Sequence, residues 1–367
     1  MITPEDTGPP CVIDDGEQGS ALRVGAPRLG GMRALVLQSY GGREAMALTD
    51  VPAPTAGAGE VLIRTRAVGL NPVDAMHREG DFKAIAPDDF PTVAGNELSG
   101  IVETVGAGVT AFAPGDAVIT RVDPSGHGAF AELAAVRADW VAAAPARMPL
   151  TDAAGLPLAG LTAQQALGPE HLDLQPGERL LITGAAGGVG LIATRLAHLR
   201  GAHVTVTASA AGEPYVREAG ADAVIDYRAR TVAEGGERFD KVFDLIGGDQ
   251  MAELLGSIEP GGRLVTIAGP PSPGSLRETA RPSRRPLAAV VSRVASAKVR
   301  RAAKKAGVTY EFFLMHPDGA GLAELVRLVD AGELAVTVDS RYPLADWEQA
   351  FERLESHHAK GKVLLEF

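Results

Sequence analysis

From residue 180 onward, apolar segments alternate with helical patterns: LLITGAA, the helix GLIATRLAHLRG, HVTVTAS, the helix PYVREAG, then AVIDY, KVFDLIG and RLVTIAG. Strands separated by helix-length segments cannot pair as hairpins. Each crossover lays the next strand parallel to the last, so the run predicts a doubly wound α/β sheet. Upstream, residues 32–155 carry EVLIRTRAVGL, GIVETVGAGV, AVITRV and AELAAV, which are short, β-rich and punctuated by Gly and Pro. They predict a compact β domain. A chain of 367 residues has room for two cores, and its 44 glycines with only 5% aromatics suit close helix-on-sheet packing.

The first strand of the alternating run leads into Ala185-Ala186-Gly187-Gly188-Val189-Gly190, where a helix is expected to begin. A dinucleotide pyrophosphate sits against the bare N–H groups and positive end of a helix, and a Cβ in the way would hold it off. Gly187 is expected to permit that approach, beside Ala186, Gly188 and Val189, and Gly190 to let the helix pack on its strand. Ala185 stands where the first glycine of G-x-G-x-x-G is usual, so the motif draws its meaning from the strand before it and the helix after it. An acidic residue at the end of the next strand would bind the ribose 2′-OH of NAD; here that place holds Ala208 and Ser209. NADPH is therefore the expected cofactor, with Ser209 donating to its 2′-phosphate and Tyr227 and Arg228 nearby. Ordinary strand-end and turn chemistry is the alternative reading of Ser209 and Tyr227. Gly247, Ala268 and Gly269 end two further strands on the same carboxyl edge, where open sheets bind ligands.

Charge and composition exclude several classes. With 46 acidic against 35 basic side chains the formal charge is −11, which repels nucleic acid. The one cysteine, Cys11, allows neither an intramolecular disulfide nor a thiolate zinc cluster. No apolar run is long enough to span a bilayer and the acidic start MITPEDTGPPCVIDDGEQG is unlike a secretory signal, so a cytoplasmic chain without a membrane partner is expected. Residues 1–31 lack apolar periodicity and read as a disordered tail, with Met32 an alternative start. The stretch 275–305 holds ten Lys or Arg and one acid, Glu278. It predicts a helix with Leu287, Val291 and Val294 facing the protein and Arg300, Arg301, Lys304 and Lys305 wet; recruitment of an anionic group or partner is the alternative.

Seven motifs then stand in order: VGLNPVDAMHREG at 68–80, GNELSGIVETVGAGVTAFAPGDAV at 95–118, GAFAEL at 128–133, LPLAGLTAQQAL at 156–167, GAAGGVG, EPGGRLVTIAGPP and the closing HHAKGKVLLEF. Together they resemble the medium-chain dehydrogenase/reductase superfamily, in its zinc-independent quinone oxidoreductase branch. The resemblance implies a GroES-like catalytic domain from residues 32–155 and 317–367 around a Rossmann domain at 156–316. It also implies a homodimer joined along YEFFLM, 310–315. Zinc-dependent relatives have Cys, His and Cys where this chain has Asn71, Asn96 and Leu158, which cannot hold zinc. His77 and His127 stand alone, at no ligand spacing.

Without a Lewis acid, the implied reaction is hydride transfer to a small electrophile already polarised by conjugation, an enone, enal, enoyl thioester or quinone. Asn71 and Asp74 of NPVD are implied at the nicotinamide ribose or carboxamide, and Thr162 near the ring. A Pro-terminated turn with an Asx hydrogen bond is the other reading of NPVD. Met76 replaces a tyrosine present in many relatives, leaving His77 as a nearby substitute proton donor. Ala210-Ala211-Gly212-Glu213 lacks a lysine common in NADPH-binding relatives, which shifts phosphate binding to Ser209, Tyr227 and Lys360 or His357. An enoyl-thioester reductase of a biosynthetic pathway, and an NADPH-binding protein with little turnover, are the rival readings.

Overall fold

The computed structural model describes residues 31–122, 128–277 and 279–367. The expectations for the first thirty residues, Cys11, His127 and Glu278 fall outside them.

The N-terminal part contributes β1 (Gly31–Leu37), β2 (Met46–Pro52), β3 (Glu60–Leu70), helix α1 (Pro72–Glu79), β4 (Thr92–Val93), β5 (Glu97–Val105), β6 (Ala117–Arg121), β7 (Leu133–Arg137) and β8 (Val141–Ala143). Helices α2 (Leu150–Ala153) and α3 (Pro157–Ala166) lead on to β9 (Arg179–Ile182), α4 (Gly188–Leu199), β10 (His203–Ala208), α5 (Glu213–Glu218), β11 (Ala223–Asp226) and β12 (Phe239–Asp244). After them come α6 (Met251–Gly256), β13 (Ile258–Thr266), α7 (Arg285–Ala295), α8 (Ala297–Ala306) and β14 (Thr309–Phe312). The chain closes with α9 (Gly319–Asp330), β15 (Val338–Pro343), α10 (Trp347–Glu355) and β16 (Lys362–Glu366).

The strands from β9 to β14 pair in parallel, in the order β11-β10-β9-β12-β13-β14. The chain starts at the centre, winds to one edge, then returns and winds to the other. The crevice outside the carboxyl ends of β9 and β12 is thus the topological switch point, where such sheets bind ligands. Leu180, Leu181, Ile182, Val242 and Phe243 are fully buried, as a parallel sheet covered on both faces requires. The two edges of this sheet are β11 and β14.

A second sheet runs β15-β16-β3-β5-β6-β8, with β7 also on β3, while β1, β2 and β4 form a small third one. β16 lies antiparallel to β3 with Val363 opposite Leu70, so the residues just beyond that pair, Lys362 and Asn71, are neighbours. Early and late segments of the chain share one core around Leu35, Ile63, Leu98, Phe130, Trp347 and Phe351. In α9, Leu322, Leu325 and Val329 are buried and Leu328 is partly so.

In α7 and α8, Arg300, Arg301, Lys304 and Lys305 are exposed as expected, but the apolar side chains face the other way from the sequence expectation. Leu287, Val291 and Val294 are 40%, 39% and 71% exposed, and Val290 is 60% exposed. The buried face is instead Ala288 and Ser292, continued by Ser296, Val299 and Ala303. Ser292 Oγ donates to the Ala288 carbonyl and Ser296 Oγ to that of Ser292, so these hydroxyls are satisfied within the helix and a face of small residues can pack closely. Among the described residues no helix is long and apolar enough to cross a membrane.

Candidate functional site

At the switch point the chain leaves β9 and turns into α4. Gly184 takes φ +62°, a conformation L side chains rarely adopt. The glycine that makes the tight turn therefore precedes Ala185, and the departure from G-x-G-x-x-G is a one-position offset. Gly187 caps α4 with φ −81° and ψ 171°, and a Cβ there would meet only the Gly184 carbonyl at 3.7 Å. The start of the helix is thus approached through open space, as an anion requires. On Gly190 a Cβ would lie 2.5 Å from Ala185 Cα, so this glycine serves strand-on-helix packing.

Asp244, fully buried at the end of β12, supports the crevice from below. It accepts from Thr183 Oγ1 at 2.7 Å, Thr266 Oγ1 at 2.8 Å and the Gly247 N–H at 3.0 Å. One carboxylate ties the ends of β9, β12 and β13 together. Sequence reasoning missed it, because a strand-end Asp has no visible partners until the strand order is known. Gly247 has φ +68°, and a Cβ on it would fall 2.1 Å from the Ala268 carbonyl oxygen. The turns carrying Gly247 and Ala268-Gly269 therefore touch on the carboxyl edge.

Ser209 lies buried just past β10. The register Ala208 to Asp226 brings Tyr227 beside it, 56% exposed, with the Arg228 guanidinium 5.8 Å from its ring centroid. Asp226 adds a carboxylate here, but its Oδ1 accepts the Arg228 N–H at 2.9 Å and is drawn into its own turn. A Cβ on Gly212 would be 2.8 Å from that of Ala186, so the loop after Ser209 leans on the glycine turn.

The NPVD segment forms the other half of the site. Pro72 opens α1, and Asp74 Oδ2 accepts the Asn71 N–H at 2.7 Å, while its Oδ1 accepts from Asn96 Nδ2 at 2.5 Å. Burial pushes the Asp74 carboxyl up to about 6, against the opposing pull of those hydrogen bonds and of the Lys362 charge. Asn71 spends its side chain on a buried cluster: Nδ2 donates to Glu97 Oε1 at 2.8 Å and to the Gly69 carbonyl at 3.2 Å. Lys362 Nζ donates to Asn71 Oδ1 at 2.5 Å, Glu97 Oε1 at 2.7 Å and the Leu70 carbonyl at 3.1 Å, which uses all three ammonium protons. Glu97 Oε2 accepts the Leu158 N–H at 2.6 Å. Asn71 and the Leu158 N–H thus belong to an ammonium–carboxylate–amide cluster, a set without thiolate or imidazole. Among the described residues, no group of three or more His, Cys, Asp or Glu side chains is placed to hold a metal.

Lys362 also joins the two halves. A Cβ on Gly188 would lie 2.6 Å from Lys362 Cδ, and the neighbouring Gly361 N–H donates to the Ala186 carbonyl at 3.2 Å. The structure therefore brings Asn71, Asp74, Ala186, Gly187 and Gly188 together around Lys362 and Glu97, which sequence reasoning overlooked in favour of Lys360. Lys360 is half-buried and donates its backbone N–H to Asp339 Oδ1 at 2.8 Å. Thr162 is buried in α3 with its hydroxyl donating to the Leu158 carbonyl at 2.7 Å. Val189 is half-buried at the start of α4. His77 is half-buried, its ring edge-on to Phe82 at 4.8 Å, and lines a void of about 10 Å³ with Leu37, Met46 and Asp74.

The chain is similar to known proteins. Residues 57–146 match the alcohol dehydrogenase GroES-like domain, and residues 219–365 match the zinc-binding dehydrogenase family. The chain is 32% identical to the chloroplast envelope quinone oxidoreductase homolog of Arabidopsis thaliana, covering 91% of this chain and 98% of the relative. It is also 32% identical to the chloroplastic NADPH-dependent alkenal/one oxidoreductase of the same plant, covering 91% and 79% respectively. Among solved structures, the quinone oxidoreductase from Coxiella burnetii superposes with a TM-score of 0.79 at 26% identity, over 92% of this chain and 99% of that one.

Proposed function

The chain belongs to the medium-chain dehydrogenase/reductase superfamily, in its quinone oxidoreductase-like group, and from that membership we propose an NADPH-dependent, zinc-independent reductase of conjugated C=C bonds or quinones. The observation that carries the reading is the bare start of α4 at Gly187, open to an incoming pyrophosphate and adjoining a strand end, Ser209, that has no acidic side chain. Similarity to an NADPH-dependent alkenal/one oxidoreductase supports it.

In this reading the backbone N–H groups at Ala186, Gly187, Gly188 and Val189 hold the pyrophosphate. Ser209, Tyr227 and Lys360 serve the 2′-phosphate. Gly247, Ala268 and Gly269 flank the cofactor along the carboxyl edge, and Asn71 and Thr162 approach the nicotinamide end. When bound, NADPH supplies a hydride for the electrophilic carbon of the substrate. The chain orients the reactants and excludes water. Asp74, with both oxygens hydrogen-bonded, fixes Asn71 and the start of α1, and is assigned to positioning. Lys362 places a fixed positive charge behind Asn71. With no Lewis acid to polarise a simple carbonyl, the site favours substrates polarised by conjugation. The open edge at β14 is where a second copy would join in a homodimer.

The thioester reading gains nothing from Arg300 and Lys304. Arg300 and Lys304 rim a surface cavity of about 350 Å³ beside Thr309, at the amino end of β14 and away from the carboxyl edge. Fluorescence titration tests the cofactor: NADPH should bind more tightly than NADH, and no fluorescence change with NADPH overturns the proposal. NADPH consumption over enals, enones and quinones then tests turnover. Tight binding with no consumption would favour the rival binding protein, and stoichiometric zinc in purified protein would refute zinc independence.

A further inference from the structure

Along α7 and α8 runs one face that the described residues leave uncovered. Leu287, Val290, Val291 and Val294 fall on a single helical stripe and are all exposed. Ser296, between the helices, keeps right-handed helical angles of φ −85° and ψ −2°. Its N–H donates to the Ser292 carbonyl at 3.1 Å, and its own carbonyl accepts the Arg300 N–H at 2.9 Å. The stripe therefore continues onto Lys298, Arg301 and Lys305, which are also exposed. Residues 279–305 hold nine Lys or Arg and no Asp or Glu, in a chain of formal charge −11. Arg281 of that set is paired with Asp89 at 2.7 Å.

We propose that this face docks the protein on an anionic lipid surface. A helix lying in the membrane interface needs a row of apolar side chains to enter the acyl boundary and cations to meet lipid phosphates, and the stripe supplies both in sequence. A second copy of the chain is the competing occupant of four exposed aliphatic side chains. A twofold interface would set the same cations against one another, whereas an anionic bilayer offers the opposite charge. The contact is peripheral, and it revises the sequence expectation of no membrane partner.

The docking face is rooted at the seam between the two halves of the molecule. Ala288 of α7 is buried in a cluster with Phe312, at the carboxyl end of β14, and Ile85 of the N-terminal part. Docking would bring that seam towards the bilayer, where apolar quinones and alkenals concentrate. That consequence rests on the reductase reading; the docking does not.

Cosedimentation tests it with the full chain, using vesicles of phosphatidylcholine alone and of phosphatidylcholine mixed with phosphatidylserine, at low and high salt. The protein should pellet with the anionic vesicles and be released by salt. In Lys298→Glu/Arg301→Glu, each reversed charge should weaken partitioning by at least about fivefold. Val290→Glu/Val294→Glu should abolish it. All three proteins should consume NADPH equally with a water-soluble enone, so failure of docking and failure of the reductase reading are separable. Equal pelleting with both vesicle types, or none with either, overturns the proposal. So does a solution mass that halves in Val290→Glu/Val294→Glu, which would assign the face to a second copy.

Discussion

Asp74 and Lys362 show how much of the site one side chain can decide. The folded protein holds a proton on Asp74 up to about pH 6, whereas an unfolded chain releases it near 3.8. Across that window the folded state binds more protons, so stability falls as pH rises and levels off above about 6. A shift of that size is worth roughly 3 kcal/mol. Asp74→Asn should remove this component, and urea denaturation at a series of pH values should show a flatter profile than the wild type. Lys362→Met strands the Glu97 carboxylate in the interior, and breaking such a pair costs about 3–5 kcal/mol. Adding Glu97→Gln should restore much of the loss, measured by the same denaturation. Asn71 and Asp74 were legible in the sequence because NPVD is a compact motif. Lys362 was not, because its partners Asn71 and Glu97 are 291 and 265 residues away and only the pairing of β16 with β3 brings them together.

In the glycine turn and the helices at 285–306, two different kinds of sequence signal had opposite outcomes. The turn was legible because strand, glycines and helix are contiguous, so local chemistry settles it; only the role of Gly184 in place of Ala185 needed backbone angles. Its two key glycines should separate on substitution. Gly187→Ala has backbone angles open to alanine and room for the methyl, so thermal stability should hold while the NADPH dissociation constant rises by about tenfold or more. Gly190→Ala drives a methyl into the Ala185 backbone and should cost about 1–3 kcal/mol of stability. Equal effects of both on stability would argue against these roles. The helices at 285–306 misled because hydrophobic periodicity finds a face without saying what lies opposite. The face of small residues, Ala288, Ser292 and Ser296, won the interior by fitting closely, and left the valines outside.

For the whole molecule, the alternating run announced the parallel sheet, and the ordered motifs announced the second body. How the two meet was not legible, because it turns on contacts between residues far apart in sequence, among them Gly361 with the glycine turn. Gly361 has φ +96°, and a Cβ on it would lie 2.2 Å from the Thr337 carbonyl oxygen. Gly361→Ala should therefore lift this segment off Ala186, and weaken NADPH binding by about tenfold, the effect of losing some 1.4 kcal/mol of preorganisation. Calorimetric titration checks it, and an unchanged affinity would remove Gly361 from the site.

The pairing of β16 with β3 also has a consequence in time. During synthesis, Asn71 leaves the ribosome 291 residues ahead of Lys362, while every strand of the parallel sheet emerges between them. The Rossmann layer can assemble first, as a domain folding in its own right. The N-terminal β body must wait with a vacant slot beside β3 and an unpaired Glu97 until β16 arrives. The polar centre is thus among the last features completed at birth, and a nascent chain stalled before residue 362 lacks it.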